Sequence, residues 1–476
     1  MRDGSVCAEW RRTSAEQMPQ ELSGKRVLVV GLGRSGVASA LFLRDKGARV
    51  TVTDAKPEAE LRQHIPALLE RGVTVETGGH GERTFRDQDL IVVGPGVPTD
   101  SPQLIEARKA NIPVIGEIEL AAQFLAGPIV AITGANGKTT TTSLVGEIIA
   151  HDGRPTLVGG NIGTAAITFA GKATPQTWIV LEVSSFQLET IKTFRPRIAV
   201  ILNITPDHLD RHHTFEAYRD AKARVFENQR EDDFAVLNAD DATCKELGPR
   251  VRSELYWFSR KSRVTRGAFV HDNQIVWRDS ESQRAVLPIA EIPLKGGHNL
   301  ENMLAAVAVG VLAGVKDADI RAAVRSFKAV EHRLEYVATI NGVEYYNDSK
   351  ATNVDATLKA LESFPGGIHI ILGGKDKDSD YTLLKSLLKE RAKRVYTIGA
   401  AAEKIESQIA GATEVARATT LNNAVKLASE RAVKGDVVVL APACASFDQF
   451  ENYEHRGRVF KELVHNLEKI PSGSAK

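Results

Sequence analysis

The chain has 476 residues, which at roughly 100 to 200 residues per domain makes room for about three domains, each with its own core. Its 61 basic residues nearly cancel its 60 acidic ones, so no whole-chain field exists to hold a nucleic-acid backbone or an anionic membrane. Three cysteines, Cys7, Cys244 and Cys444, lie far apart with no CxxC pair, which argues against a disulfide framework and a zinc site and points to a reducing compartment.

Residues 1–20 include Arg11-Arg12 but no apolar stretch of signal-peptide or membrane-span length, so the chain is expected to stay in the cytoplasm. That leader and residues 471–476 hold too few apolar side chains to order themselves and are expected to be frayed tails. Between them, short Val/Ile/Leu runs alternate with amphipathic helical stretches, which predicts the α/β class with parallel sheets covered by helices.

Strands are expected at 26–30, 50–53, 90–93 and 113–115. Behind the first lies Gly31-Leu-Gly33-Arg-Ser-Gly36, and Asp54 ends the second, as in a dinucleotide fingerprint. The same backbone holds NAD or any other diphosphate, and no hydride-transfer pattern follows it. A second glycine loop, Gly94-Pro-Gly96-Val-Pro98, follows the next apolar run and reads either as part of that sheet edge or as an ordinary turn.

A new unit opens near 117 with Ile129-Val-Ala-Ile-Thr-Gly-Ala-Asn-Gly-Lys-Thr-Thr-Thr-Thr142, a buried strand running through a glycine loop into a helix. Gly134 and Gly137 let backbone amides turn toward phosphate oxygens, Lys138 neutralises the β and γ charges, and Thr139 or Thr140 offers a hydroxyl to Mg²⁺. Ile132 stands where the strict GxxxxGK[ST] pattern has its first glycine, so the match rests on Thr-Gly-Ala-Asn-Gly-Lys-Thr. Glu182 ends the next apolar run, Trp178-Ile-Val-Leu, as a hard-oxygen ligand for magnesium or a solvated cap. A further run, 198–202, leads into Asn203-Ile-Thr-Pro-Asp-His208-Leu-Asp-Arg211, beyond a strand end where open α/β sheets bind ligands. His208 reads as a metal ligand or an orienting donor. The polar stretch 251–293 is expected to be an antiparallel insertion.

The third series begins near 328, with strands expected at 334–340, 344–346, 368–372, 395–398 and 437–440. Arg333 and Lys350 are candidates to stabilise a transferring phosphoryl group, and Asp348 to anchor a ribose or a cation, though each reads equally as a surface charge. The loops Gly373-Gly-Lys-Asp-Lys377 and Ala441–Phe450 follow strands and are expected to line the far side of the same cleft. Cys444 lacks an identifiable base and reads as structural.

Taken in order, the Thr-Gly-Ala-Asn-Gly-Lys-Thr-Thr loop, Gly160-Asn161-Ile-Gly163, Glu182-Val-Ser184-Ser-Phe-Gln-Leu-Glu189, the Asn203–Arg211 run, Gly297-His-Asn299-Leu-Glu-Asn302 and Asp348-Ser-Lys350-Ala-Thr352-Asn353 resemble the Mur ligases of bacterial cell-wall synthesis over about residues 24–468. The resemblance implies three domains, 1–116, 117–328 and 329–476: a Rossmann-like UDP-substrate domain, a central P-loop ATPase-type domain and a Rossmann-like amino-acid domain. It implies ATP and two Mg²⁺ ions, with UDP-N-acetylmuramoyl-L-alanine and D-glutamate as substrates, and a monomer that binds neither nucleic acid nor membrane. By the same resemblance, Glu182, His208 and Thr139 hold metal together with Lys222, which the resemblance gives as a carbamylated lysine. Asn136, Asn299 and Asn302 join the ATP site with Arg333, Asp348 and Lys350, while Asn161 and Ser184 face substrate. Arg34, Ser35, Asp54, Ala55 and Gly96 match the uridine-nucleotide pocket, although Ala55 and Lys56 depart from the usual pair. Thr352, Lys377, Ser446, Phe447 and Tyr453 match the D-glutamate contacts. The implied chemistry is ATP-dependent activation of a carboxylate as an acyl phosphate, followed by attack of an amine, with closure of the third domain. Another amino-acid ligase, a folylpolyglutamate synthase-like enzyme and a P-loop binding module are the competing readings.

Overall fold

Alternating apolar runs and amphipathic stretches become three sheets in the computed structural model, which describes residues 21–81, 83–294, 296–328 and 331–467. Both expected tails, 1–20 and 471–476, lie outside those residues. The chain divides into two compact units. One holds the chain up to Ile204 with Glu216–Ile292 and Glu301–Phe327; the other holds Thr205–Phe215, Pro293–Leu300 and the chain from Lys328.

The first unit carries two of the sheets. Its five-stranded parallel sheet runs in the order Thr74–Thr77, Arg49–Asp54, Arg26–Val30, Leu90–Val93, Val114–Gly116. The strand order therefore reverses beside Arg26–Val30, and the crevice at such a reversal is where an α/β sheet takes its ligand. Helix Arg34–Asp45 starts there. Gly36 lets it pack close, since a Cβ at that position would lie 1.8 Å from the Gly31 carbonyl oxygen. The nine-stranded sheet is built on the fully buried strands Ile129–Thr133, Trp178–Glu182 and Ile198–Ile201, which lie side by side and parallel. The stretch expected as an antiparallel insertion instead extends this sheet. Glu254–Ser259 joins parallel to Phe234–Asn238, and Gly267–His271 parallel to it; only Gln274–Arg278 and Gln283–Pro288 are antiparallel. Trp257 and Phe269 alternate onto one face with Val276, so the strands have a small core of their own and continue the sheet rather than leaving it.

Two buried glutamates on helix Glu117–Ala122 fasten the two sheets of this unit together. Glu119 accepts from the backbone N–H groups of Lys192, Thr193 and Phe194 and from the Thr193 hydroxyl. Glu117 accepts from Ile167 N–H at 2.7 Å, and burial pushes its carboxyl up to about 7 although that N–H pulls the other way. A carboxyl whose pKa is raised on folding binds its proton more tightly in the folded state, so its contribution to stability is fully present below the ordinary value of 4.5 and is lost as the pH rises to about 7. Wild-type stability should therefore decline across that window by up to roughly 3 kcal/mol more than that of Glu117→Gln. Denaturant midpoints at a series of pH values check this; parallel curves for the two proteins would rule it out.

The second unit carries a six-stranded sheet in the order Glu335–Ile340, Val343–Asn347, Val437–Leu440, Ile368–Gly373, Ala392–Ile398, Glu414–Thr419, parallel except for the first hairpin. Apolar side chains of both faces form separate cores, one under helices Val354–Glu362 and Lys385–Arg391, the other under Leu421–Arg431 and Tyr453–Leu467.

Candidate active site

In the first unit, strand Ile129–Thr133 ends in the glycine loop and helix Lys138–His151 begins at once behind it. Gly137 has φ +87° and Gly134 φ +151°, both in the region that favours glycine, and they let the chain turn sharply from the strand into the helix N-terminus. Asn203 braces the loop from the neighbouring strand: its Oδ1 accepts from Asn136 N–H at 2.8 Å and its Nδ2 donates to the Asn136 carbonyl at 3.1 Å. Lys138 Nζ donates to the carbonyls of Gly134 and Ala135, at 2.8 and 2.9 Å. Lys222 Nζ reaches the same Gly134 carbonyl, at 2.9 Å, from helix Phe215–Ala223. Its side chain is 2% exposed and lies over the Tyr218 ring, so it is no ordinary surface lysine.

Glu182 is buried at its strand end and gathers two other predicted residues. The Thr139 hydroxyl donates to Oε2 at 2.7 Å, and Asn161 Nδ2 donates to Oε1 at 2.8 Å. The Thr140 hydroxyl beside them is buried without a hydrogen-bond partner. A carboxylate, a hydroxyl and an amide oxygen at a helix N-terminus, with a further hydroxyl uncommitted, form a hard-oxygen set that fits a magnesium–phosphate group. Ser184, beyond the same strand end, forms a capping box with Gln187 on helix Ser185–Leu188.

A cavity of about 650 Å³ opens at the strand-order reversal of the five-stranded sheet. Arg34, Ser35, Asp54, Ala55, Gly96 and Asn161 all line it. Arg34 donates to the Gly163 carbonyl, so the loop after strand Thr156–Gly160 closes one wall. Both Asp54 oxygens serve the backbone, accepting from Leu32 N–H and Lys56 N–H. Asn161 belongs to the cavity and to the Glu182 cluster at once.

The second unit holds the remaining predicted residues except Asn302. His208 has φ +56° and begins helix Leu209–His212; Asp207 beside it accepts from Asn353 Nδ2 at 3.0 Å and pairs with Lys377 at 3.6 Å. His208 thus falls in the unit of Lys377, whereas Glu182, Thr139 and Lys222 fall in the other, as does Asn302; Asn299 falls with His208. Lys350 Nζ donates to Tyr453 Oη at 3.0 Å. Asp348 accepts from Leu334 N–H, and burial pushes its carboxyl up to about 6 against the opposing pull of Arg333. Arg333 Nε is buried without a hydrogen-bond partner. Thr352 donates its N–H to the Lys350 carbonyl, Ser446 is buried, and Phe447 is 68% exposed. Cys444 is buried against Tyr381 and its thiol is pushed up to about 12 by burial, in keeping with a structural role.

Sequence reasoning missed Arg456. It is fully buried, with burial holding its pKa down to about 10, and it donates to Ser349 Oγ, the Ser349 carbonyl and the Cys444 carbonyl. It therefore ties the loop of Lys350 to the loop of Ser446. The only sequence signal was an arginine one turn inside an amphipathic helix, which looks like any surface cation. Arg456→Met should leave those acceptors unpaired and destabilise the unit by about 3 kcal/mol or more, read from denaturant unfolding. Glu331, His332 and Glu335 converge as metal ligands would, but Lys461 Nζ already bonds both glutamates, and the group reads as an ion-pair network.

Fold and site together define an α/β nucleotide-dependent enzyme with a phosphate loop and a separate nucleotide-sized cavity. Three family models match in order: a MurD-like N-terminal domain over residues 25–116, the Mur ligase middle domain over 132–310, and a Mur ligase glutamate ligase domain over 332–444. The chain belongs to the Mur ligase family. It is 67% identical over 447 residues, covering 94% of this chain and 98% of the relative, to the UDP-N-acetylmuramoylalanine–D-glutamate ligase of Koribacter versatilis. Enzymes of the same name from Acidobacterium capsulatum and Solibacter usitatus are 59% and 52% identical, over 93% and 94% of this chain and 97% and 99% of theirs. Among solved structures, the UDP-N-acetylmuramate–alanine ligase MurC of Thermotoga maritima shares the fold at TM-score 0.59 and 19% identity, covering 93% of this chain and all of that one. The ADP complex of MurF from the same organism does so at TM-score 0.59 and 17% identity, covering 94% and 100%.

Proposed function

We propose that this chain joins D-glutamate to UDP-N-acetylmuramoyl-L-alanine at the expense of ATP, through an acyl phosphate, giving ADP and phosphate in peptidoglycan precursor synthesis. The observation that carries this reading is Asn161, which lines the nucleotide cavity and also bonds Glu182 beside the phosphate loop. A substrate whose nucleotide fills the cavity thereby brings its far end to the place where a γ-phosphate would lie. In the protein as it works, we assign residues 1–116 to the UDP substrate, 117–328 to ATP and 329–476 to the amino acid.

A carboxylate is a poor electrophile until one oxygen becomes a leaving group. The loop amides around Gly134 and Gly137, with Asn136, Lys138, Thr139 and Thr140, are the residues we assign to ATP phosphates, and Asn299, Asn302, Arg333 and Asp348 to the rest of the nucleotide. Lys138 leaves its loop carbonyls to offset phosphate charge, and Lys350 stabilises the transferring phosphoryl group. Glu182, Thr139, His208 and Lys222, the last as its carbamate, would hold two magnesium ions, which supply charge neutralisation between carboxylate and phosphate. Arg34, Ser35, Asp54 and Gly96 bind the UDP moiety, with Asn161 and Ser184 toward the reacting end. Thr352, Lys377, Ser446, Phe447 and Tyr453 receive D-glutamate, whose carboxylates need the cation and hydroxyls of that set. We place the enzyme in the cytoplasm as a monomer serving cell-wall growth, and hence cell shape and division; no helix among the described residues is long and apolar enough to cross a membrane.

Phosphate release is to be measured with ATP, Mg²⁺ and UDP-N-acetylmuramoyl-L-alanine, comparing D-glutamate, L-glutamate, L-alanine and no amino acid. Release and a ligated product with D-glutamate alone are expected. Turnover with another acceptor would retain the ligase chemistry and overturn the acceptor; no turnover at all would overturn the enzyme.

A further inference from the structure

We infer that the first unit carries a second anion site, at the opposite edge of its five-stranded sheet from the nucleotide cavity, and that this site takes a hydrogen-bearing phosphate such as free inorganic phosphate. A cavity of about 410 Å³ lies there, with Arg26, Arg44, Arg49, Thr51, Thr74 and Asp87 in its lining. Arg26, Arg49 and Thr74 begin their strands, whereas the nucleotide cavity lies at or just beyond the ends of the same strands, at Gly31, Asp54 and His80. Along strand Arg49–Asp54, at about 3.3 Å per residue, the two places are roughly 16 Å apart.

Three guanidinium groups gather here with too few acceptors. Arg26 and Arg49 are register partners on neighbouring parallel strands, so two like charges stand side by side, an arrangement that costs stability unless an anion lies between them. Arg26 has Asp89, whose carboxylate accepts its backbone N–H and lies 3.6 Å from its Nε. Arg44 is held by two backbone carbonyls, donating from Nε to Arg71 and from Nη1 to Ala48, which leaves Nη2 without an acceptor among the described residues. The Arg49 side chain has neither a hydrogen bond nor an ion pair among those residues. Thr51 and Thr74 are register partners too, on the face of Arg49, and add two hydroxyls to the same wall. Forked N–H donors beside hydroxyls suit the tetrahedral oxygens of a phosphate. Asp87 then decides which oxyanion fits. Its carboxylate makes no ion pair among the described residues and repels a fully ionised group, but phosphate near neutral pH keeps a P–O–H that can donate to it. Sulfate has no such proton. A membrane lipid is the poorer fit, because its phosphodiester also lacks the proton and attraction to a lipid surface takes clusters of about four to eight cations.

Calorimetric titration of the full chain with inorganic phosphate, sulfate and succinate is the test, with sedimentation against phosphatidylglycerol vesicles alongside. The wild type is expected to bind phosphate more tightly than sulfate or succinate. Arg49→Gln should bind phosphate about tenfold or more weakly, because a charge-assisted hydrogen bond is lost, at an unchanged melting temperature, because Arg49 has no partner in the protein to lose. Lys138→Met should keep the binding that Arg49→Gln loses, which separates it from the phosphate loop. Asp87→Asn, whose amide can donate, should bring sulfate level with phosphate. No phosphate binding by the wild type, binding unchanged in Arg49→Gln, or binding abolished by Lys138→Met would overturn the site. Sulfate or succinate bound as tightly as phosphate, or a phosphate preference undiminished in Asp87→Asn, would overturn the assignment of hydrogen phosphate, as would vesicle binding that depends on Arg49 without any affinity for free phosphate.

Discussion

Glu182→Gln is expected to cut ligation by about 10²–10³-fold while leaving the melting temperature near that of the wild type. The side chain is buried between Thr139 and Asn161, which donate one hydrogen bond to each of its oxygens. Glutamine keeps the shape and one of those acceptors, and the Thr139 hydroxyl can rotate to accept from the new amide. What is lost is the negative charge, which is the property a divalent cation beside a polyphosphate needs. Phosphate release measured over a magnesium titration, with a thermal melt alongside, separates the two effects. A variant that is as active as wild type at the same magnesium concentration would remove Glu182 from the metal role.

Gly137→Ala should weaken nucleotide binding at least tenfold and lower stability by about 1–2 kcal/mol, because it imposes two penalties at one residue. The backbone is left-handed there, at φ +87°, and an added Cβ would come within 2.1 Å of Asn302 Oδ1. Asn302 is 3% exposed and has little room to withdraw, so either the loop opens or helix Gly297–Leu312, which carries the asparagine, is pushed away. Titration with a fluorescent ATP analogue and a thermal melt would show both changes. Unaltered affinity would mean that the loop does not cradle the nucleotide.

The readable parts of this protein are those whose chemistry is local. The strand, the glycine loop and the helix start at 129–142 are consecutive, so hydrophobic pattern, left-handed glycines and lysine sit in one window, and the loop forms where it was expected. Interior strands such as Leu90–Val93 and Val437–Leu440 are buried along their whole length and announce themselves as unbroken apolar runs. The most polar edge strands do not. Thr74–Thr77 and Glu414–Thr419 were not foreseen, because a strand paired on one side only and half in water carries Thr, Glu and Arg, the composition of a loop. The extension beyond Glu254 was read as an insertion for the same reason: its strands alternate polar and apolar residues, and sequence does not say which existing edge they join.

By itself the sequence determined the α/β class, the phosphate loop, the acid at the end of strand Trp178–Glu182 and, through six motifs in order, the family. Only the tertiary structure decided which charged side chains are buried. Lys222 and Arg456 look alike on paper, each a cation on an amphipathic helix, yet one sits on the Gly134 carbonyl and the other on carbonyls of two loops. Glu117, Glu119 and Asn203 acquire their partners from segments tens of residues away. The cost of burying a polar group is set by whether partners meet it there, and those partners are brought by the packing of sheets and helices, which no window of sequence contains.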